Sequence, residues 1–462
     1  MEKKKYIPNI PESDKPRLVI IGGGFAGLKL VKNLLNKGFQ IILLDKNNFH
    51  QFQPLLYQVA TAGLEPSAIS FPLRKILQRE CNIHFRVAEI QEISDQSKEI
   101  RTNIGYLKYD YLVLAMGTNP NFFGHASIGD NTLPMKSAAD AILIRNTVLE
   151  NLELALLETS PEKISEYLNI VIVGGGPTGV ELAGALAEMK KNIFPKDYPE
   201  LDLSQMRIVL YEASDRILAS MSETTSAQAY KYLEKLGVEV HLNNRILDYN
   251  GTSLTLEDKT TISSKTVIWA AGVRVNSLTG ISKESYGRAN RMKVDRQNRL
   301  PGYRDVFAIG DISIMTTPRY PDGHPQLAQV AIQQAKNLAR NLRKMKTSEQ
   351  PRDFEYRDKG SLATIGRNLA VADLPFVKLK GFLAWVLWSF VHLFAIVGVK
   401  NKVFIFLDWS WNYFTYDPSL RLLIRHKPAI VTNIDTDRSL KDLLVNEIQA
   451  YETRSPESPI YQ

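Results

Sequence analysis

One pattern occurs twice in this chain. Val19-Ile20-Ile21-Gly22-Gly23-Gly24-Phe25-Ala26-Gly27 returns as Val171-Ile172-Val173-Gly174-Gly175-Gly176-Pro177-Thr178-Gly179. Each copy is an apolar strand running into G-x-G-x-x-G and then a helix-like stretch. That is the phosphate-cradling turn of a dinucleotide-binding βαβ unit. The first glycine allows a tight turn, the second lets a pyrophosphate approach the backbone, and the third lets the helix pack on the strand. The helix N-terminus adds free N–H groups and partial positive charge. A single copy also fits an ordinary Gly-rich turn. Two copies imply two dinucleotides face to face, with electron transfer between them.

The repeat extends beyond the glycines. Gln40-Ile41-Ile42-Leu43-Leu44-Asp45 reads as a buried strand ending in an acid, followed by Lys46. Asp45 lies about 20 residues beyond its glycines, where a ribose-binding carboxylate belongs. Arg207-Ile208-Val209-Leu210-Tyr211-Glu212 is the second counterpart. Glu212 is further from its glycines, and Lys190 to Gln205 reads as the insertion that accounts for it. A carboxylate here favours a free 2′-hydroxyl, hence NADH, whereas nearby Arg216 is of the type that accepts a 2′-phosphate. A third element repeats as well: Tyr111-Leu112-Val113-Leu114-Ala115-Met116-Gly117-Thr118 matches Thr266-Val267-Ile268-Trp269-Ala270-Ala271-Gly272-Val273. Small-residue turns keep backbone close to a ligand. Plain sheet core would show the same pattern; the shared order adds Ala115, Gly117, Thr118, Ala271 and Gly272 to the candidate contacts.

These residues resemble the two-dinucleotide flavoprotein disulfide reductase superfamily. Asp305-Val306-Phe307-Ala308-Ile309-Gly310-Asp311 looks like its closing flavin motif, which implies that Gly310 and Asp311 meet FAD, the aspartate at the ribityl chain. His50-Gln51-Phe52-Gln53-Pro54-Leu55-Leu56-Tyr57-Gln58-Val59-Ala60 is similar to a signature of type II NADH dehydrogenases. Ala328-Gln329-Val330-Ala331-Ile332-Gln333-Gln334-Ala335 resembles their quinone-site motif, and the aromatic tail resembles their membrane anchor. The likeness runs over roughly residues 15 to 425. It departs at Ala335, where many relatives have glycine, and from about Thr432 to Gln462, which matches no family motif.

The resemblance implies an α/β chain with two Rossmann-like domains and a C-terminal membrane-anchoring helical region. The FAD domain takes residues 15–145 and resumes over 290–345. The NADH domain, 146–289, is inserted between, and a membrane-associating domain, 346–425, precedes a polar tail, 426–462. Within this frame Ala138 to Glu158 reads as an amphipathic helix with Ile142, Leu149, Leu152 and Leu156 on one side, stopped by Pro161. Gln326 to Met345 reads as a helix that begins at the flavin.

A chain of 462 residues exceeds one ordinary domain. Its net charge of +8 permits nucleic acid, but no Lys/Arg-rich helix or RNA-binding motif accompanies it. An anionic membrane surface is the better partner. The single cysteine, Cys81, forms no intramolecular disulfide and fits a reducing compartment. It also sets aside disulfide reductases and sulfide:quinone oxidoreductases, which need catalytic cysteines; Cys81 reads as buried filler. Seven histidines lack ligand spacing, so no metal is expected. No apolar run marks Met1 to Pro16 as a secretory signal.

Four of the five tryptophans lie between Trp385 and Trp411, and Gly381 to Val399 carries no Asp, Glu, Lys or Arg. A buried hairpin, a membrane span and an interfacial anchor all fit. The density of Trp, Phe and Tyr between flanking lysines favours the anchor.

The expectation is a peripheral enzyme on the cytoplasmic face of the cell membrane. A hydride passes from NADH to FAD, and two electrons then pass to a membrane quinone (ubiquinone or menaquinone), without proton pumping. Glu181 reads either as first-turn helix charge or, by resemblance, as a group near the nicotinamide–flavin contact. Gln329 and Gln333, four apart, share a helix face and can donate to quinone carbonyls. The resemblance places Gln329 at the quinone and a lysine near flavin and quinone; Lys380 and Lys378 both suit that lysine. Homodimers occur in the family. A reductase with a protein acceptor such as ferredoxin, or a slow NADH-sensing flavoprotein, are the alternatives.

Overall fold

The computed structural model describes residues 4–78, 80, 82–415 and 420–424. Cys81 and the polar end after 424 lie outside them. The chain divides into Met1–Arg421 and Leu422–Gln462.

Two five-stranded parallel sheets form its centre. In the first the order is Val306–Ala308, Tyr111–Leu114, Arg17–Ile21, Gln40–Asp45, Ile83–Val87. Ile21 pairs with both Leu44 and Leu114, and Leu114 also pairs with Ala308. The second runs Leu133–Pro134, Thr266–Trp269, Asn169–Val173, Arg207–Tyr211, Glu239–His241. There Val173 pairs with Tyr211 and Trp269. Both central strands, LVII and NIVIV, are buried residue after residue. Continuous Val/Ile runs of this kind suit a parallel sheet covered on both faces. Val306–Ala308 joins the first sheet only after the whole second sheet has been laid down. A short antiparallel pairing, Asn119–Pro120 with Val273–Arg274, ties the two halves together.

The helix after each glycine motif covers its sheet: Phe25–Leu34 in the first, Pro177–Asn192 in the second. The helix Ala328–Lys346 packs on Phe25–Leu34. An antiparallel sheet, Ser361–Gly366, Leu369–Asp373 and Lys378–Lys380, lies against the Pro177 helix and the helix Glu223–Lys235. The tail follows as two helices, Phe382–Ala395 and Val399–Thr415, separated by a break at Gly398 with φ of +87°.

Several expectations change. The bridging helix is Ala138–Ala155, opened by a capping box between Ser137 and Asp140. Its buried stripe runs through Ala141, Ile144, Val148 and Leu152; Leu149 is also inside, but Leu156 is 38 % exposed and Ile142 only half-buried. Pro161 does not stop this helix. It sits at the start of the next, Pro161–Leu168, which Ser160 caps. There its missing N–H costs nothing and its fixed φ suits a helix. The Lys190–Gln205 stretch begins as the last turn of the Pro177 helix and continues through two short helical turns, Phe194–Asp197 and Leu203–Gln205.

Candidate active site

Both glycine turns are built alike. Gly22 has φ of +104°, and a Cβ there would lie 2.4 Å from the Ala115 carbonyl oxygen. Gly174 has φ of +114° and would place a Cβ 2.8 Å from the Ala270 oxygen. A side chain at Gly27 or Gly179 would strike the Gly22 or Gly174 oxygen at 1.8 or 1.9 Å. The third glycine of each motif therefore lets its helix seat on the turn. Gly24 and Gly176 are different: a Cβ there would meet nothing within 4 Å. Each is the N-cap of its helix and no side chain caps it. The starts of both helices are thus open to a close approach, as an anion cradle requires.

A carboxylate braces each turn. The Gly23 N–H donates to Asp45 Oδ2 at 2.6 Å, and Asn47 N–H donates to Oδ1 at 2.7 Å. The Gly175 N–H donates to Glu212 Oε2 at 2.5 Å. Ser214 donates to Glu212 Oε1 from both its backbone N–H and its hydroxyl, at 2.8 Å each. Both Asp45 oxygens and Glu212 Oε2 keep lone-pair capacity for a ribose hydroxyl. Burial raises the Asp45 carboxyl from its ordinary value. Arg216 reaches the Ala219 carbonyl at 3.2 Å and Glu223 at 3.7 Å. Lys46, beside Asp45, is exposed.

Around the first turn the other candidate groups converge. Phe25 is half-buried; its ring meets His50 and Phe52 edge-on, with centroids 5.3 and 5.8 Å away. His50 is buried, and its Nδ1 lies 3.0 Å from the Gly23 carbonyl, so it braces the turn. Gly310 has φ of +77°; a Cβ there would meet the Ala26 and Ala331 methyls at 3.2 and 3.4 Å. The Gly310–Asp311 turn, the first glycine turn and the Ala328 helix therefore meet at one place. Burial raises the Asp311 carboxyl, while Lys136 and Arg291 oppose the rise. Lys136 Nζ donates to Thr118 Oγ1 at 3.1 Å. The backbone after Leu114 bends at Gly117, with φ of +69°. In the second half, Gly272 has φ of +79° beside half-buried Ala271, and Pro177 and Thr178 are exposed at the second cradle. Open cradles, small residues at close approaches and a buried acid at the Gly310 turn fit an FAD in the first half. The second half offers the same cradle to a second dinucleotide.

Sequence reasoning missed Gln334, Lys136 and Arg291. Gln334 is 1 % exposed, and its Oε1 accepts the Gly310 N–H at 2.7 Å. Its signal was present: it lies on the Ala331–Ala335–Leu338 stripe, and a buried amide needs a partner. Gln329 and Gln333 do share a face, but both clamp backbone. Gln329 bonds Gly360 O and Lys359 N–H, each at 3.2 Å. Gln333 bonds Arg357 O at 2.9 Å and its N–H at 3.1 Å. Lys380 is exposed and reaches Gln228 at 3.5 Å, while Lys378 reaches Thr224 at 3.2 Å. Both therefore meet the Glu223–Lys235 helix.

Glu181 is not a first-turn residue; no acid lies in that turn. It sits one turn further, 8 % exposed, and accepts the Thr364 N–H at 3.4 Å. Burial pushes its carboxyl up to about 8. It lines a cavity of about 200 Å3 with Tyr57, Gln58, Trp385, Trp388 and Trp409.

Neither tail helix is long and apolar enough to span a bilayer. The 14 residues of Phe382–Ala395 reach roughly 21 Å, short of the ~30 Å hydrocarbon core. Ala384, Trp388 and Ile405 face inward, whereas Leu383, Phe394, Trp411 and Phe414 are 61–79 % exposed. The second helix is held by Trp409 Nε1–H to Gln58 at 2.8 Å and by Asn401 to the Ala68 carbonyl at 3.1 Å.

Known proteins share this arrangement. Residues 16–335 match the pyridine nucleotide-disulphide oxidoreductase family, and residues 359–415 match the NDH2 C-terminal domain. The type II NADH:quinone oxidoreductase Ndh of Mycobacterium tuberculosis is 32 % identical over 88 % of this chain and 90 % of its own. An internal alternative NAD(P)H-ubiquinone oxidoreductase of Arabidopsis thaliana is 28 % identical over 89 % of this chain and 87 % of its own. The structure of NDH2 from Plasmodium falciparum in complex with NADH superposes with a TM-score of 0.81, at 22 % identity, over 89 % of this chain and all of that one. This chain belongs to the type II NADH:quinone oxidoreductases of the pyridine nucleotide-disulphide oxidoreductase family.

Proposed function

We propose that the protein oxidises NADH at the second cradle and reduces a membrane quinone, with FAD held at the first. The observation that carries this reading is the duplicated carboxylate-braced turn: Asp45 on Gly23 and Glu212 on Gly175. When bound, FAD would supply the hydride-accepting, two-electron chemistry that links the nicotinamide to the quinone.

The chain supplies position and charge. Gly22, Gly24, Phe25, Ala26 and Gly27 hold the FAD pyrophosphate, and Asp45 its ribose. Ala115, Gly117 and Thr118 line its approach. Gly310 and Asp311 reach its ribityl chain, with Gln334 fixing the Gly310 amide. Gly174, Gly176, Pro177, Thr178 and Gly179 cradle NADH, and Glu212 takes the ribose hydroxyls that a 2′-phosphate would displace. Ala271 and Gly272 bound that site. Glu181 and the Gln329–Gln333 face flank the region where nicotinamide, flavin and quinone meet. The exposed apolar face of the tail lies on the membrane surface at the cytoplasmic side, flanked by lysines, and makes the enzyme peripheral.

Anaerobic stopped-flow tests the reading. NADH bleaches the flavin absorbance, and a short-chain quinone restores it. Bleaching without recovery would remove quinone as the acceptor.

A further inference from the structure

The helix Ala328–Lys346 ends in a groove of about 490 Å3. Arg340, Arg343, Lys344 and Lys346 enter it from that helix, Lys37 from the exit of the helix Phe25–Leu34, and Arg352 from the returning chain. Glu349 is the one acid among the described lining residues, so five positive charges stand uncompensated. No aromatic or apolar residue joins the described lining.

A basic helix end has an ordinary explanation: cations there offset the helix dipole and cap the last carbonyls. In this helix the backbone already fills much of that role. The Lys344 carbonyl accepts the N–H groups of Thr347 and Glu349 at 3.0 and 2.9 Å, and the Met345 carbonyl accepts that of Ser348 at 3.4 Å. Lys346 Nζ turns to the neighbouring helix's exit and donates to the Gly38 carbonyl at 2.8 Å. Lys344 Nζ donates to the Gln350 carbonyl at 2.9 Å and stands 3.9 Å from Glu349, which also accepts from Thr347 Oγ1 at 2.7 Å. The exposed side chains of Lys37, Arg340, Arg343 and Arg352 make no hydrogen bond or ion pair among the described residues. Arg343 and Lys344 lie three and four residues beyond Arg340, so like charges share one helix face, a repulsion that a bound anion would relieve.

The groove is also held in shape. Asn341 is 1 % exposed and grips the Arg352 backbone from both sides. Its Oδ1 accepts the Arg352 N–H, and its Nδ2 donates to the Arg352 carbonyl, each at 2.8 Å. Asn337, one turn earlier, donates to the same carbonyl at 3.0 Å. A buried amide satisfied at both ends fixes where this arginine leaves the chain. The Lys346 bridge fixes the Lys37 loop in the same way. Arginine is permanently charged and presents its N–H donors in a fork that matches phosphate oxygens in pairs. We propose that this groove binds a multiply charged phosphate group, with Arg340, Arg343 and Arg352 on its oxygens and Lys37 and Lys346 adding charge. A nucleobase or an acyl chain finds no apolar partner there, so recognition stops at the phosphates, whether they belong to a free polyphosphate or to lipid headgroups.

Tripolyphosphate is the probe. It is titrated calorimetrically at low salt into the full-length, FAD-loaded protein, with excess NAD+ filling the second cradle. Saturable binding is expected, weakening as salt rises. Arg343→Gln and Arg352→Gln are each expected to raise the Kd roughly tenfold or more, as loss of a charge-assisted hydrogen bond does. Lys231→Gln with Lys235→Gln removes two charges from the helix Glu223–Lys235 and leaves the Kd unchanged. Flavin content and Tm show that each variant is folded. Vesicles containing phosphatidylglycerol identify the source of the phosphate. Competition with tripolyphosphate that disappears in the arginine variants marks a headgroup site; tripolyphosphate binding undisturbed by the vesicles marks a free polyphosphate. Absence of saturable binding would overturn the proposal, as would a wild-type Kd in both arginine variants. Displacement by sulfate at matched ionic strength, or equal weakening by the Lys231 and Lys235 changes, would reduce the groove to bulk charge and overturn it as well.

Discussion

The Glu212 carboxylate accepts the Gly175 amide N–H at 2.5 Å, across 37 residues of sequence. The acid is therefore placed by the glycine turn it serves, despite the longer connection. Ser214 holds the other oxygen from two donors. Glu212→Gln keeps the shape and removes the charge. A hydrogen bond to a charged group contributes about 1.5–3 kcal/mol, so the Kd for NADH rises roughly ten- to a hundredfold. NADPH loses a repulsion at the same time. Titration of both nucleotides into the variant shows their affinities converging; an unchanged NADH-to-NADPH ratio would remove Glu212 from the ribose site.

Gln334 gives a second test. Its Oε1 is bound to the Gly310 N–H in a buried setting. Gln334→Leu leaves that N–H without a partner, at a cost of about 1–3 kcal/mol. Purified Gln334→Leu is expected to hold less FAD than Gln333→Ala, whose lost contact is with the Arg357 backbone. The flavin-to-protein absorbance ratio after dialysis checks this. Equal retention in the two variants would mean that the Gly310 turn is fixed by other contacts.

Glu181 makes the stability depend on pH. Burial lifts its folded-state carboxyl to about 8 from an ordinary 4.5. Below about 4.5 both folded and unfolded states carry the proton and nothing is lost. Between 4.5 and 8 the unfolded chain gives up a proton that the fold keeps, so stability falls as pH rises, by about 1.4 kcal/mol per pH unit at most. Above 8 the loss is complete. Glu181→Gln removes this term, so its Tm relative to wild type shifts upward between pH 5 and pH 8. A Tm difference constant across that window would place the Glu181 carboxyl in water. The same variant is expected to slow flavin reduction or loosen NADH in rapid mixing.

The parts legible in the sequence were those written into local pattern. Two glycine turns, their following acids and the parallel strands all depend on residues near one another in the chain. What the pattern hid depends on partners far away. Gln334 was passed over for Gln329 because helix spacing shows which residues share a face, not which face meets Gly310. Glu181 was open between first-turn helix charge and, by resemblance, a group near the nicotinamide–flavin contact, because nothing nearby in sequence reveals Thr364 and Trp388 beside it. Pro161 was read as a stop although proline also opens helices, and only Ser160 as its cap decides the case. Lys136, Arg291 and Asp311 come together from three separated segments.

The tail carries the last prediction. Trp388 is 2 % exposed and stacks on His392 with centroids 4.2 Å apart, while His392 meets Phe52 at 6.2 Å. Deleting the tail would thus strip the cavity wall as well as the apolar face, and would confuse the two. Point changes on the outer face separate them. Phe394 and Trp411 are 61 % and 66 % exposed. Replacing both with glutamate puts charge where the bilayer interface would be, and the anionic headgroups repel it. The double variant is expected to stay in the supernatant after centrifugation with anionic vesicles that pellet the wild type. Its reduction of a water-soluble acceptor by NADH stays near wild type, since neither side chain lines the cavity or a cradle. Reduction of a long-chain quinone embedded in vesicles falls at least tenfold. If the variant pellets as the wild type does, the exposed aromatic face is not what holds the protein to the membrane.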